Sequence, residues 1–127
     1  MSALVLDAAV FIAIDRNDRA MVAQLQLANK AGLSLRTTGV VVAEVWRDPG
    51  GRQANIARLL GAAEVVPVDQ GLGRDGGVLM GRSGTRDPAD ATLVAAAREF
   101  DRILTGDPGD IRALVAASGK RIQVVAC

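Results

Sequence analysis

The sequence predicts an α/β fold built on a mainly parallel sheet. Short apolar runs of strand type, such as Leu4-Val5-Leu6, alternate along the chain with stretches of helical periodicity. Asp87-Pro88 and Asp107-Pro108 each have the form of a helix start, with Asp as N-cap and Pro in the first helical position. Half of the 127 residues are hydrophobic and 23% are charged, which is enough apolar surface for one core in one domain, residues 1–127.

The elements follow in order. Leu4-Val5-Leu6 is the first strand, ending at Asp7. Asn17 or Asp18 caps a helix whose apolar face carries Met21, Val22, Leu25 and Ala28. Leu33 to Arg36 is the second strand, after which Thr37 or Thr38 caps a helix with Val41, Val42, Val45 and Trp46. Asp48-Pro49-Gly50-Gly51 breaks that helix, and another runs from Gln53 to Leu60, ended by Gly61. Glu64 to Val68 is the third strand, and Pro67 marks it as a strand end or a sheet edge. Asp69 to Met80 has helical spacing but is diluted by glycine, and residues 71–77 are expected to be irregular. The helix opened by Asp87-Pro88 runs through Leu93, Val94, Ala97 and Phe100. Arg102 to Thr105 is the fourth strand, the helix after Asp107-Pro108 carries Ile111, Leu114 and Val115 up to Gly119, and Ile122 to Val125 is the fifth strand.

Composition removes several kinds of chemistry. There is no histidine, so a Ser-His-Asp triad, histidine-based ribonuclease chemistry and His-ligated zinc are excluded. The one cysteine, Cys127, makes an intrachain disulfide impossible and fits a reducing compartment. The first basic residue is Arg16, so the basic start of a signal peptide is missing, and the apolar stretch Ala8 to Ile14 is far too short to span a membrane. A cytoplasmic protein without a membrane anchor is the expectation. Basic and acidic residues number 15 and 14, and aromatics are 2%, which argues against an RNA-binding module of stacked aromatics.

What remains is carboxylate chemistry. Asp7 ends the first strand, Asp107 lies just past the fourth, Glu44 interrupts an apolar helix, and Asp90 sits in the first turn of another. Ligands of open α/β sheets bind at the carboxyl ends of strands, where strand order reverses. If the first and fourth strands are neighbours there, Asp7 and Asp107 face one crevice, to which Glu44 and Asp90 can be added. Converging carboxylates need protons or a cation to neutralise them. Oxygen-only ligands favour Mg²⁺ or Mn²⁺, which suits phosphodiester hydrolysis. Each acid taken singly has an ordinary alternative: Asp87 and Asp107 as helix caps, Glu44 as a solvated helix position. Asp7 is harder to dismiss, because an acid between Leu4-Val5-Leu6 and Ala8 to Ile14 is costly unless paired or metal-bound.

In series these residues resemble a known family. Leu4 to Ile12, Val42 to Asp48, Asp87 to Ala95 and Ile103 to Asp110 are similar, in order and spacing, to the four acidic motifs of PIN-domain nucleases. The nearest likeness is to VapC-like toxins of bacterial toxin–antitoxin modules. The resemblance implies a three-layer α/β/α fold with a parallel sheet of about five strands in the order 3-2-1-4-5. It implies catalytic and metal-site roles for Asp7, Glu44, Asp90 and Asp107, and Mg²⁺-dependent endoribonuclease activity. It implies an RNA substrate, a homodimer, and a cognate antitoxin whose tail enters the acidic groove. Thr105, Asp87 and Asp110 are supporting candidates, with capping the commoner role for the two acids. Arg82 and Arg86, flanking Ser83-Gly84-Thr85, are candidate RNA contacts or an ordinary solvated loop. The chain departs from the family pattern at Ala8 and Ala9, where a Ser, Thr or Asn is common, and at Gly106, where a Ser is common.

Other readings fit less well. Gly71 to Gly76 matches G-x-G-x-x-G but does not lie in the first strand–helix unit, where a dinucleotide site belongs. A phosphoacceptor receiver would need an acidic pair after the first strand, and a haloacid-dehalogenase-like phosphatase would need D-x-D, where this chain has Asp7-Ala8-Ala9. The rival that remains is a PIN-like fold kept as a protein- or RNA-binding regulatory partner with little catalysis.

Overall fold

A computed structural model describes residues 2–127. Its centre is a five-stranded, all-parallel sheet in the order β3-β2-β1-β4-β5, as the resemblance implies. The strands are β1 (Ala3–Leu6), β2 (Ser34–Thr38), β3 (Ala63–Val66), β4 (Arg102–Thr105) and β5 (Gln123–Ala126). Every residue of β1 is buried, as a central parallel strand covered on both faces requires. The edge strands β3 and β5 are half exposed, and Pro67 lies just beyond the end of β3.

The helices are α1 (Ala8–Asp15), α2 (Arg19–Lys30), α3 (Gly39–Val45), α4 (Ala54–Ala62), α5 (Gln70–Ser83), α6 (Pro88–Ala96) and α7 (Pro108–Ser118). Right-handed crossovers put α1 to α4 on one face of the sheet and α5 to α7 on the other. The packing agrees: α1 touches α2, α3 and α4, while α5, α6 and α7 pack on one another. Phe11 and Val10 of α1 and Leu93, Ile111 and Leu114 of α6 and α7 fill the two halves of the core. The strand order reverses between β1 and β4, which pair Leu6 with Leu104, and this fixes where a site can open.

Several local expectations need correction. The apolar run after Asp7, which the sequence leaves unassigned, is a helix, α1, with no polar face to reveal it. Residues 71–77 are regular helix rather than irregular. Gly76 explains part of the glycine content, because a Cβ there would lie 3.0 Å from Thr92 Cγ2 and 3.4 Å from its backbone nitrogen. The glycine lets α5 and α6 approach closely. Gly61 lies inside α4 instead of ending it. Val22 is exposed on α2, although Met21 and Ala28 are buried. The helix after Pro88 stops at Ala96, and Phe100 is exposed with φ +69°, not part of a helical core face.

Candidate metal centre

Asp7 takes its place from β1. Its backbone continues the pairing to β4 by donating to the Leu104 carbonyl, while its side chain caps α1 by accepting from the Ala8 N–H at 2.7 Å. Its second oxygen accepts the Thr105 hydroxyl at 2.6 Å. Thr105 is fully buried and also accepts the Asp107 N–H at 2.9 Å. One hydroxyl thus ties the carboxylate at the end of β1 to the backbone of the acid after β4. Its proton is committed to Asp7.

The two Asp-Pro starts behave differently. Asp87 caps α6, accepting from the Ala89 and Asp90 N–H groups at 2.9 and 3.4 Å. Asp107 occupies the N-cap position of α7 but makes no side-chain capping bond. Its carboxylate is left for other work. Asp110, in the first turn of the same helix, joins it: one oxygen each from Asp90, Asp107 and Asp110 lie within 4.8 Å of one another. Asp110, a supporting candidate from the sequence, thus joins Asp90 and Asp107 directly. The i, i+3 spacing of Asp107 and Asp110 was the available signal, because it puts both acids on one side of a helical turn.

Asp90 is the buried member of this group. It is 5% exposed, and its Oδ2 has no hydrogen-bond partner, the one such buried side-chain atom among the described residues. Burial pushes its carboxyl up to about 7, with Asp7, Asp87, Asp107 and Asp110 adding to the rise. A buried carboxylate facing four other acids without a counter-charge is unfavourable unless a proton or a cation joins it. The donor set is all oxygen and fits a hard divalent cation such as Mg²⁺ or Mn²⁺.

Glu44 stands at the exposed margin on α3. Partial burial raises its carboxyl above the ordinary range, followed by Asp7 and Asp87, against a lowering by Arg47. Asp7 and Asp87 therefore act on both Glu44 and Asp90, while the close cluster of carboxylate oxygens holds Asp90, Asp107 and Asp110 and neither Asp7 nor Glu44. Cys127 also belongs to this end of the sheet: its N–H donates to the Thr105 carbonyl, and burial and then Asp7 push its thiol up. The two arginines part company. Arg86 immediately precedes the cap Asp87, whereas Arg82 lines a groove of about 220 Å³ with Asp75, Ser118, Lys120 and Ala95, near the carboxyl end of α6.

Two of the departures from the family pattern touch. A Cβ built on Gly106 would lie 3.0 Å from the Ala9 Cβ, so the missing side chain at 106 is what leaves room for Ala9.

No protein-family model matches the sequence, and no curated protein matches it. Solved structures do share the fold. The crystal structure of VapBC2 from Rickettsia felis, bound to a DNA fragment from its promoter, has a TM-score of 0.68 over 97% of this chain and 98% of that one, at 13% identity. FitAcB from Neisseria gonorrhoeae has a TM-score of 0.61 over 94% and 96% of the two chains, at 15% identity. At such identities the likeness is one of architecture. It extends over nearly the full length of both partners in each comparison.

Proposed function

We propose that the chain is a divalent-cation-dependent endoribonuclease of the PIN, VapC-like type. The observation that carries this reading is the buried, partnerless Oδ2 of Asp90 beside Asp107 and Asp110. Support also comes from the fold shared with VapBC2, whose name is that of the family the four motifs resemble. Asp90, Asp107 and Asp110 would hold the cation, with Asp7 and Glu44 completing the acidic site. When bound there, the cation would supply Lewis acidity toward an RNA phosphodiester and its attacking water.

The protein's own groups do the rest. Thr105 and the Ala8 N–H fix the Asp7 carboxylate, one bond to each oxygen, so that each keeps further acceptor capacity. Glu44, exposed and with a raised proton affinity, is suited to accept a proton from water. Arg86 is suited to hold a substrate phosphate at the entrance. A cognate antitoxin carrying a basic side chain, a second copy of the chain as homodimer, and a cytoplasmic location complete the proposal. No helix among the described residues is long and apolar enough to cross a membrane.

A second reading, a binding or regulatory partner with little catalysis, is favoured by one feature: Ala9 packs where a side chain on Gly106 would go, at positions where the resembled family often has Ser, Thr or Asn, and Ser, respectively. Incubation of the purified chain with total cellular RNA separates the two. The nuclease reading expects Mg²⁺-dependent cleavage, abolished by EDTA and reduced at least about a hundredfold in Asp7→Asn and Asp90→Asn. Cleavage that survives both substitutions ends it.

A further inference from the structure

The amino end of the sheet carries a second feature that the acidic site does not use. Phe100 is 60% exposed, and its backbone has φ +69°, a left-handed conformation that a bulky side chain rarely adopts. The turn that imposes this conformation is firmly anchored. Phe100 N–H donates to the Arg121 carbonyl at 2.7 Å. The next residue, Asp101, is 2% exposed and accepts from the Ala3 N–H, the Arg98 N–H and the Arg36 guanidinium. The strain is thus held in place by a buried ion pair, and its result is a phenyl ring presented to solvent.

The ring has basic company. The Arg121 guanidinium lies 4.7 Å from its centroid, steered by Glu99, which accepts from both the backbone N–H and the Nε of Arg121. A shallow groove of about 430 Å³ adjoins it, lined by Phe100, Arg102, Arg121, Ile122 and Gln123 with Asp101 at its floor. Arg102 and Gln123 are register partners on β4 and β5 and both are exposed. Arg98 and Arg102 form no salt bridge among the described residues. Of the other exposed large apolar side chains, Leu27 of α2 lines a neighbouring cavity with Arg102, and the rest lie on α1, α2, α5, β3 and just after β3. Phe100 is the one exposed aromatic among the described residues and stands beside Arg102, Arg121 and Gln123, a stacking face next to positive charge of the kind that single-stranded nucleic acid uses.

We propose that Phe100, Arg102 and Arg121 form a single-stranded RNA exosite, with a nucleobase stacked on the phenyl ring and adjacent phosphates on the two arginines. The proposal rests on the ribonuclease reading. It adds a contact at the opposite end of the sheet from the acids, because Phe100 precedes β4 whereas Asp107 follows it. Seven residues separate Phe100 from Asp107, a span of up to roughly 25 Å, and because helices cover both faces an RNA strand reaching both places would pass around the sheet edge at β5.

The test uses the full chain and a fluorescein-labelled single-stranded oligoribonucleotide of about 12 nucleotides, read by anisotropy in EDTA so that no cleavage intervenes. Phe100→Gly is the informative substitution, because glycine adopts φ +69° freely and the side chain removed is exposed. Its melting temperature is expected to hold or rise while its affinity falls about tenfold. Arg102→Ala should lower the slope of log affinity against log salt by about 0.7, the loss of one phosphate contact. Cleavage in Mg²⁺ is followed in parallel. Wild-type cleavage with unchanged RNA affinity in both variants overturns the exosite and leaves the nuclease standing. Absence of both binding and cleavage in the wild type overturns the two together. Loss of a dimer in Phe100→Gly at unchanged RNA affinity assigns the ring to a protein contact and overturns the exosite.

Discussion

Asp101 at the amino end of the sheet and Asp90, which lies with Asp7 at the carboxyl end, are both buried and are treated in opposite ways. At the amino end Asp101 is 2% exposed and both its oxygens are bonded, to two backbone N–H groups and to the Arg36 guanidinium at 2.6 Å. Arg36 in turn meets Glu64 at 3.0 Å. At the carboxyl end Asp90 is 5% exposed, is surrounded by acids, and leaves one oxygen without a partner. Burial alone does not distinguish a structural carboxylate from a working one. The partner list separates these two: the charge of Asp101 is met by bonds that hold the fold together, and the unmet oxygen of Asp90 creates a demand that a cation can meet.

The largest expected effect comes from breaking the satisfied end. Asp101→Ala leaves Arg36 buried without its closest partner and frees two backbone donors, and should cost about 3 to 5 kcal/mol by urea denaturation. The same treatment at the other end should have the reverse sign. Asp90→Asn removes a charge that the metal-free protein holds at a disadvantage, so at pH 7.5 in EDTA it should stabilise by on the order of 1 kcal/mol, allowing for solvent screening. A loss of stability there would remove the contrast between the two ends.

The pH dependence sharpens the comparison. Asp90 has a folded-state value of about 7, above its ordinary value of 3.8, so the folded protein binds more protons than the unfolded chain between those limits. The contribution of Asp90 to stability is therefore present at low pH and is lost as pH rises toward and through 7. Melting temperatures of metal-free wild type and Asp90→Asn should converge near pH 4 and diverge by pH 7.5, with the variant higher. The smallest effects are at the glycines of α5. Gly77 has open space where a Cβ would go, and Gly77→Ala should stabilise by about 0.5 to 1 kcal/mol. Gly76→Ala meets Thr92 and should fall short of that gain or destabilise. Thermal melts of the pair measure how closely α5 presses on α6.

The sheet was legible because five short apolar runs and two Asp-Pro helix starts each carry a local signal. α1 was not, because Ala8 to Ile14 is apolar all round and a 3.6-residue period needs a polar face for contrast. Phe100 continued the apolar spacing of α6 in sequence, but the chain leaves the helix after Ala96, and Asp101 captures the Arg98 N–H to form the turn. The acids were legible as a series of motifs. What each acid does locally was not: Asp87-Pro88 and Asp107-Pro108 are alike in sequence, yet Asp87 caps its helix and Asp107 does not. The membership of Asp110 and the bridging role of Thr105 depend on the same kind of side-chain geometry, which neither spacing nor composition contains.

The central claim is that the unsatisfied carboxylates around Asp90 are a cation site. Calorimetric titration of Mn²⁺ into the full chain at pH 7.5 and pH 5.5 tests it most directly. The account predicts binding at pH 7.5, at least about tenfold weaker binding at pH 5.5 as protons compete for Asp90, and none in Asp90→Asn. Equal binding by wild type and Asp90→Asn, or no binding by the wild type at pH 7.5, would contradict it.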